Sequence, residues 1–297
     1  MMAAVALFCA TAAPGCENTT TTPFITTSGA IILANNAASD FALFRLTEDP
    51  KELASFTPYY LGWDNSGDSG DPGVSIHHPS GDIKKISTVY SQPTSMTYGS
   101  NLHTYWRVFW DETPNGYGTQ ERGSSGSPLL TATHKVIGQL QGGYGYCSQP
   151  YLYSRYGKLN VSWNGYGNDS ICRRLDCWLD SIGTGQQVLE GLLVVRDTMT
   201  IVTNQPHYGT ILVINNGQLT IRNEVEIVGN GKVIIESGGK LIIDGGVFSN
   251  VELSFEAGAS LEIKNGGVLI PRNHLIIPLG VEIKIEQGQI VLNDEDD

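Results

Sequence analysis

Residues 123–128 read Gly-Ser-Ser-Gly-Ser-Pro, a run of small side chains that could present a nucleophile. A nucleophilic hydroxyl has to lie exposed on a tight turn, and glycines with small neighbours allow the backbone to make that turn. Ser125 is the candidate nucleophile. The same turn would aim the backbone N–H groups of Gly123 and Ser125 at the negative charge that develops on a carbonyl oxygen under attack. The chemistry that this pattern suits is therefore nucleophilic attack on a carbonyl group.

The elements that must hold this turn are short apolar runs separated by clusters of Gly, Pro, Asn and Asp. From Ser28 to about Trp163 the runs are rich in β-branched and aromatic residues, which predicts strands. Examples are AIILA, DFALFRL, TYWRVFW, KVIGQLQGG and KLNVSW. A single amphipathic helix is predicted around Asp169 to Ile182, where apolar residues follow helical spacing. Many strands followed by one terminal helix are typical of a β-barrel domain.

A repeat begins after about Gly191. One strand pattern, in which apolar residues alternate with other residues, recurs with a period in the low twenties, and Asn/Gly turns lie between its copies. This pattern predicts a short β-solenoid of about five coils over 193–297, in which each coil buries its apolar face against its neighbours. The repeated strands are Met199-Thr-Ile201, Leu219-Thr-Ile221, Leu241-Ile-Ile243, Leu261-Glu-Ile263 and Ile283-Lys-Ile285.

The turn at Ser125 resembles the G-[DNS]-S-G-[GS]-P box of chymotrypsin-type serine peptidases, and further stretches resemble the lysyl endopeptidases, in order, from about Ser28 to Leu192. These stretches are SDFALFRL (39–46), GW (62–63), IHHPSGDIKK (76–85), VIGQLQGG (136–143), YGK (156–158), SW (162–163) and the helix end WLD (178–180). The resemblance implies an all-β fold, namely a partial chymotrypsin-type double β-barrel with a terminal helix, followed here by the short β-solenoid. It also implies peptide-bond hydrolysis through an acyl-enzyme.

The same resemblance implies roles for individual residues. Asp40 would orient and support the catalytic imidazole, and Ser125 would attack the scissile carbonyl. The N–H groups of Gly123 and Ser125 would form the oxyanion hole. The family's substrate-binding strand corresponds to Gln141, Gly142 and Gly143. No metal and no other cofactor is expected.

The triad histidine is missing from its expected place. It precedes the aspartate in the chymotrypsin order, but no histidine occurs ahead of Asp40 in this sequence. Without this general base, Ser125 would lose on the order of 10⁴ to 10⁶ in rate. Positions 1–16 resemble a short leader but carry no Lys or Arg ahead of the apolar stretch. We therefore expect Met1 to lie inside a longer coding sequence and the chain to be N-terminally incomplete.

Two adjacent histidines, His77 and His78, are candidate substitutes for the missing base. Asp40, His78 and Ser125 follow the chain order of the subtilisins, but this region lacks the alternating helices that an α/β fold requires. Adjacent residues of a strand face opposite sides, so at most one of the two could face the site. We expect the pair to have a structural role.

The resemblance does not extend to lysine specificity. A lysine pocket needs an acid beside the buried ammonium group, and in the lysyl endopeptidases that acid lies just before the Tyr-Gly pair. Here Ser154 and Arg155 precede Tyr156-Gly157, and Gln141 replaces a family histidine. Only a trypsin-like endopeptidase is therefore expected, without a stated side-chain preference.

Composition and charge exclude several classes of protein. The formal net charge of −12 argues against a nucleic-acid partner, because like charges repel. No apolar run approaches the ~20 residues of a membrane span. The five cysteines lack metal-type spacing, and the Asp-rich loop 64–71 suits solvated turns better than a calcium site. Cys16 and Cys147 resemble family cysteines whose partners lie nearer the N-terminus, and those partners are missing.

The leading hypothesis is a secreted bacterial serine endopeptidase that acts on polypeptides but is inactive as this chain. Residues 1–27 would be an irregular N-terminal remnant, 28–192 the trypsin-like domain and 193–297 the solenoid. A non-catalytic pseudoprotease is one alternative, and a surface- or carbohydrate-binding β-solenoid protein is the other. The solenoid itself is expected to be a stalk or a surface-binding appendage, because its charges are too scattered for a polysaccharide-cleaving site: Lys240, Asp244, Lys264 and Arg272.

Overall fold

A computed structural model of the chain describes residues 28–50, 58–70, 73–114, 116–167, 170–228 and 231–292. These residues fall into two compact units, the first comprising 28–49 and 61–189, the second comprising 50, 58–60 and 190–292. The boundaries 28–192 and 193–297 stay predictions, and the proposed remnant 1–27 lies outside the described residues.

The first half of the chain is built from short strands, as predicted. In chain order they are β1 (Ala30–Asn36), β2 (Phe41–Leu46), β3 (Tyr59–Tyr60), β4 (Gly62–Asp64), β5 (Val74–His77), β6 (Lys85–Thr88), β7 (Thr94–Tyr98), β8 (Asn101–Val108), β9 (Glu112–Thr113), β10 (Gly116–Tyr117), β11 (Pro128–Leu130), β12 (Lys135–Gly143), β13 (Ser154–Lys158) and β14 (Val188–Leu189). All of them except β3 lie in the first unit.

One nine-stranded sheet carries the first unit. Its strands follow the order β6-β5-β11-β12-β13-β8-β7, with β4 beside the start of β12 and β14 beside β4. Every pair in it is antiparallel except β4 with β12. Alternation along β8 buries Trp106 and Val108 and exposes Arg107, and one face of the sheet closes over a core of Val89, Trp106, Val108, Trp110, Leu129, Ile137, Leu140 and Tyr156.

The predicted single helix around Asp169 to Ile182 is wrong. The structure has a 3-10 turn at Ile171–Arg173, then extended backbone at Arg174, then a four-residue helix at Asp176–Leu179 (α2). The predicted helix is interrupted because the backbone N–H of Leu175 donates a hydrogen bond to the Ser162 carbonyl, at 3.1 Å, while the Leu175 side chain packs into a small core.

No helix in the described ranges is long and apolar enough to cross a membrane.

The stretch KLNVSW, predicted as a strand, instead ends β13 and begins a helix, α1 (Leu159–Asn164). The reason is local as well as tertiary. Leu159 and Ser162, three positions apart, are the buried residues, which is helical rather than strand spacing. Gly165 closes the helix in the left-handed conformation, with a φ of 70°.

The second unit is a β-solenoid, which confirms the prediction from the repeat. Its strands are β15 (Leu192–Val195), β16 (Thr198–Ile201), β17 (Gln205–Tyr208), β18 (Thr210–Val213), β19 (Gln218–Ile221), β20 (Glu224–Val228), β21 (Val233–Ile235), β22 (Lys240–Asp244), β23 (Val247–Val251), β24 (Leu253–Phe255), β25 (Ser260–Lys264), β26 (Val268–Pro271), β27 (Glu282–Glu286) and β28 (Gln289–Ile290). They form three parallel five-stranded sheets, one of which begins with β3 paired antiparallel to β15.

The register of the solenoid matches the repeat that was predicted from the sequence. Ile201 pairs with Ile221, which pairs with Ile243 and so on to Ile285, so the repeated isoleucines stack in one column. From Ile201 to Ile263 these side chains are at most 5% exposed. A stacked apolar column explains why a repeat of this length holds its register.

Candidate active site

The predicted nucleophile occupies an exposed turn between two elements of the nine-stranded sheet. Ser125 is exposed, and Gly123 and Gly126 on either side have φ angles of +94° and +85°. Within the described part of the chain, neither the Ser125 hydroxyl nor the N–H groups of Gly123 and Ser125 are engaged in a hydrogen bond. The turn therefore presents one hydroxyl and two unpaired backbone donors.

Two backbone hydrogen bonds fasten this turn to β12. Gly126 donates to the carbonyl of Leu140, and Leu140 donates to the carbonyl of Ser127, both at 2.8 Å. The side chain of Leu140 is buried in the core of the sheet, so the anchor is rigid. The position of Ser125 is consequently set by β12.

The edge of β12 becomes open next to this anchor. Strand β11 pairs with β12 only as far as Gln139, whereas β13 follows it to Gly143. Residues 141–143 therefore have β13 on one side and no strand of the described ranges on the other. An open strand edge offers backbone donors and acceptors to an extended peptide. The predicted substrate-binding residues Gln141, Gly142 and Gly143 form this edge.

The other side of the Ser125 turn packs against the loop that follows β5. A Cβ atom on Gly123 would lie 2.9 Å from the carbonyl oxygen of His78, so only glycine fits there without movement. Ser80 donates its hydroxyl to a carboxylate oxygen of Glu121 at 2.6 Å, and the N–H of Cys147 donates to the other at 3.2 Å. Glu121 thus ties three loops together around the turn.

His77 is hydrogen-bonded to the residue before Ser125 but not to Ser125 itself. Its ring nitrogens lie 2.9 Å from the hydroxyl oxygen of Ser124 and 2.8 Å from that of Ser87. The residue is 2% exposed. Burial, with smaller contributions from His78 and Lys85, lowers the pKa of His77 to about 4. It is therefore a neutral imidazole at pH 7, donating to one serine and accepting from the other.

No histidine of the chain occupies the position of a general base. His78 is exposed, and its ring lies 3.0 Å from the carbonyl of Asp82. All six histidines lie within the described ranges, and none is hydrogen-bonded to Ser125. The expectation that His77 and His78 are structural accords with this geometry, since their ring contacts are to Ser124, to Ser87 of β6 and to the Asp82 carbonyl.

Asp40 lies at the end of the turn between β1 and β2, with a φ of 53° and an exposed side chain. The residue before it is fixed tightly. The carbonyl of Ser39 accepts a hydrogen bond from the side chain of Gln139 at 2.8 Å and packs directly against Gly157. The Asp40 turn is therefore anchored on β12 one residue away from the anchor of the Ser125 turn. No hydrogen bond joins the two predicted catalytic residues in the described structure.

The Asp-rich loop 64–71, for which solvated turns were predicted, forms a pair of turns in its described part. The Asp64 carboxylate accepts the N–H of Ser66 at 2.9 Å, and that of Asp68 accepts the N–H of Gly70 at 3.1 Å. Both are side-chain-to-backbone bonds two positions on, the usual pattern of aspartate in turns.

The cysteines require one correction. Cys147 is disulfide-bonded, so the expectation that its partner is missing is wrong. Cys172 and Cys177 carry free thiols. The sequence could not show this, because pairing depends on which loops fold beside Cys147. Cys9 and Cys16 lie outside the described residues.

Three residues around the site have roles that the sequence did not show. Glu121 and His77 act through partners on other loops and strands, a separation that no motif records. Arg155 is 6% exposed, although a strand's charged residue ordinarily points to water. Its burial depends on tyrosines from two other segments.

Comparisons with known proteins match the part of the chain that holds both turns. A family model described as lysyl endopeptidase, C-terminal domain, matches residues 2–157. A lysyl endopeptidase of Pseudomonas aeruginosa is 36% identical over 131 residues, an alignment that covers 42% of this chain. It covers 26% of that relative, so the chain spans about a quarter of the relative's length. The family match ends before the solenoid.

Proposed function

Because the chain belongs to the family of lysyl endopeptidase C-terminal domains, we propose that its first unit binds extended polypeptides and attacks their peptide bonds with Ser125. The proposal includes the trypsin-type double β-barrel, of which the nine-stranded sheet would be a part. It also includes a secreted or cell-surface location, which the disulfide at Cys147 favours because disulfides persist in oxidising compartments.

One observation carries this proposal. The Ser125 turn is hydrogen-bonded to Leu140 at the point where the free edge of β12 begins. A peptide that added to this edge as an antiparallel strand would bring its backbone carbonyl groups past the Ser125 hydroxyl. An exposed serine beside an open edge is what peptide-bond attack requires, whereas a structural serine has no need of either.

The proposed reaction uses no metal or cofactor. The Ser125 oxygen adds to the carbonyl carbon, and the N–H groups of Gly123 and Ser125 stabilise the oxyanion. Collapse expels the amine and leaves an acyl-enzyme, which water hydrolyses. In a complete triad an imidazole oriented by Asp40 would take the Ser125 proton and pass it to the leaving amine, whereas in this chain water would have to carry that proton. Since no histidine of the sequence is hydrogen-bonded to Ser125, we expect the isolated chain to react about 10⁴ to 10⁶ times more slowly than a complete triad.

Labelling with a fluorophosphonate tests this function. The purified chain is incubated with the probe over hours, beside Ser125→Ala as the matched control and a complete serine protease as the reference. We expect slow labelling that the substitution abolishes. Labelling that persists in Ser125→Ala would refute the role of Ser125. Labelling as fast as the reference would refute the expected lack of a base.

A second candidate is a non-catalytic peptide-binding domain on the same fold. It is favoured by the two ring contacts of His77, which commit this buried histidine beneath the turn to holding Ser124 and Ser87. The same labelling experiment separates the two functions. No labelling of a well-folded chain that still binds peptides would support this second function over the first.

The solenoid is proposed as a stalk or surface-binding appendage. Its charged side chains pair with one another. Within one strand Glu262 lies 2.9 Å from Lys264, and between coils it lies 2.6 Å from Lys240. Arg222 pairs with Asp244 at 3.1 Å in the same way. Charges that neutralise their neighbours stabilise stacking and are less available for catalysis. Contact with glycans stays a prediction.

A further inference from the structure

Arg155 lies alongside the open edge of β12. In the β12–β13 pair it is opposite Gly142, and its Nε donates to the side-chain oxygen of Gln141 at 2.9 Å. One terminal nitrogen, Nη2, lies 3.6 Å from the point where a Cβ on Gly142 would be. The guanidinium group therefore borders the segment that we propose to bind peptide.

Two tyrosine rings contact this guanidinium. Its central carbon is 4.2 Å from the ring centre of Tyr98 and 4.9 Å from that of Tyr144, both within the range of cation–π contact. The tyrosines are 41% and 47% exposed, whereas Arg155 is 6% exposed. The two rings that cover the cation are thus themselves at the surface.

The buried charge lacks an anionic partner. Among the described residues Arg155 forms no ion pair, and its Nη1 atom is buried with no hydrogen-bond partner. A buried guanidinium ordinarily has its donors satisfied, because a buried donor without a partner has given up its hydrogen bonds to water and gained none in return. Arg107, which is paired with Arg155 on the neighbouring strand β8, is also cationic. Asp40 and Arg155 both act on the pKa of Tyr105, which the carboxylate raises and the guanidinium lowers. In the described structure Asp40 does not form an ion pair with Arg155.

We propose that Arg155 forms a carboxylate-binding subsite beside the peptide-binding edge, so that the cleft selects peptides with an acidic group. The proposal rests on the peptide-binding function proposed above. A carboxylate accepts two parallel hydrogen bonds from a guanidinium, which suits the free Nη1 and its neighbour Nη2. Binding would require Tyr98 or Tyr144 to turn aside, and both are exposed enough to do so. A preference for acidic peptides would be the opposite of the preference for lysine that an acidic pocket gives.

The test is fluorescence anisotropy with labelled heptapeptides and the full chain. A single Glu is moved through each position of a neutral background, and each peptide is matched by one with Gln and one with Lys at the same place. The termini are acetylated and amidated, so that only the side chain carries a carboxylate. A neutral peptide with a free C-terminus forms a separate arm, which distinguishes a terminal carboxylate from an acidic side chain.

We expect Glu to bind at least about tenfold more tightly than Gln at one position, the ratio that a charge-assisted hydrogen bond supports. Lys should bind more weakly than Gln there. A tenfold gain from the free C-terminus alone would identify the terminal carboxylate as the ligand. Equal binding of the Glu, Gln and Lys series, with no gain from a free C-terminus, overturns the carboxylate subsite but leaves peptide binding intact. Binding by none of the peptides overturns both proposals.

Arg155→Gln and Arg155→Lys complete the test. We expect Arg155→Gln to reduce the Glu-to-Gln ratio to about one, and Arg155→Lys to retain part of it, since lysine keeps the charge but not the paired donors. Tryptophan fluorescence of each variant reports whether it is folded. If Arg155→Gln does not fold, the comparison of peptides on the unaltered chain still decides the proposal. A folded Arg155→Gln that keeps the full ratio would assign the preference to another group.

Discussion

Lowering the pH should destabilise the first unit through His77. The buried ring has a pKa of about 4, whereas a histidine in the unfolded chain titrates near 6.5. At a pH between these two pKa values, His77 is protonated in the unfolded state but not in the folded state. The contribution of His77 to stability is therefore complete above pH 6.5 and is lost progressively as the pH falls towards 4.

The size of this effect follows from the gap between the two pKa values. One pH unit corresponds to about 1.4 kcal/mol, so acidification from pH 7.5 to pH 5 should remove about 2 kcal/mol through this one residue. A charged imidazole donates from both ring nitrogens, so whichever of Ser124 and Ser87 had donated to the ring would have to turn its hydroxyl and accept instead. We expect the Ser125 turn, which Ser124 adjoins, to loosen first.

Urea unfolding followed by tryptophan fluorescence measures this loss. All five tryptophans lie between Trp63 and Trp178, so the signal reports on the first unit. The free energy of unfolding is compared at pH 7.5 and pH 5 for the unaltered chain, His77→Gln and the control His78→Gln. His77→Gln should lose about 2 kcal/mol less on acidification than the other two, because it cannot take up the proton in either state. Equal losses in all three would show that burial of His77 does not set the pH dependence.

Two further predictions concern the turn and the solenoid. Gly123→Ala should destabilise the first unit by roughly 2 kcal/mol, because its φ of +94° and the His78 carbonyl 2.9 Å away both oppose a side chain. Gly126→Ala, with a φ of +85° and open space, should cost less, and equal losses in urea unfolding would contradict the contact with His78. Leu241→Ala, at a fully buried position, should destabilise the solenoid by about 2–5 kcal/mol. Leu279→Ala, 96% exposed, should change it by less than about 0.5 kcal/mol. Hydrogen exchange of β19, β22 and β25 measures both, and similar exchange in the two variants would refute the burial argument.

The solenoid and the Ser125 turn were predictable because their signals are local in the sequence. The repeat from Met199 to Ile285 places apolar residues at steps that match one coil, and a solenoid contacts mainly its own neighbours. The glycines at 123 and 126 mark a turn because few other residues adopt a positive φ. In both cases the residues that form the sequence pattern also determine the local structure.

The segment from Leu159 to Leu179 was mispredicted because tertiary contacts decided it. The apolar spacing around Leu175 and Trp178 suits one helix, yet burial of Leu175 beside Leu159 and its bond to Ser162 break the chain there. Propensity is a weak prior when a few buried contacts compete with it. Similarly, nothing in the spacing of the cysteines shows that Cys147 is bonded while Cys172 and Cys177 are free.

Local patterns were therefore enough to predict the β-rich class, the coils of the solenoid and the position of the candidate nucleophile, since each depends on neighbouring residues or a fixed repeat. Folding then determined what surrounds that nucleophile. It brought the Asp40 and Ser125 turns to adjacent residues of β12, buried His77 against two serines and enclosed Arg155 between Tyr98 and Tyr144. These contacts join residues far apart in the chain, and their charges and pKa values depend on burial, which exists only once the chain has folded.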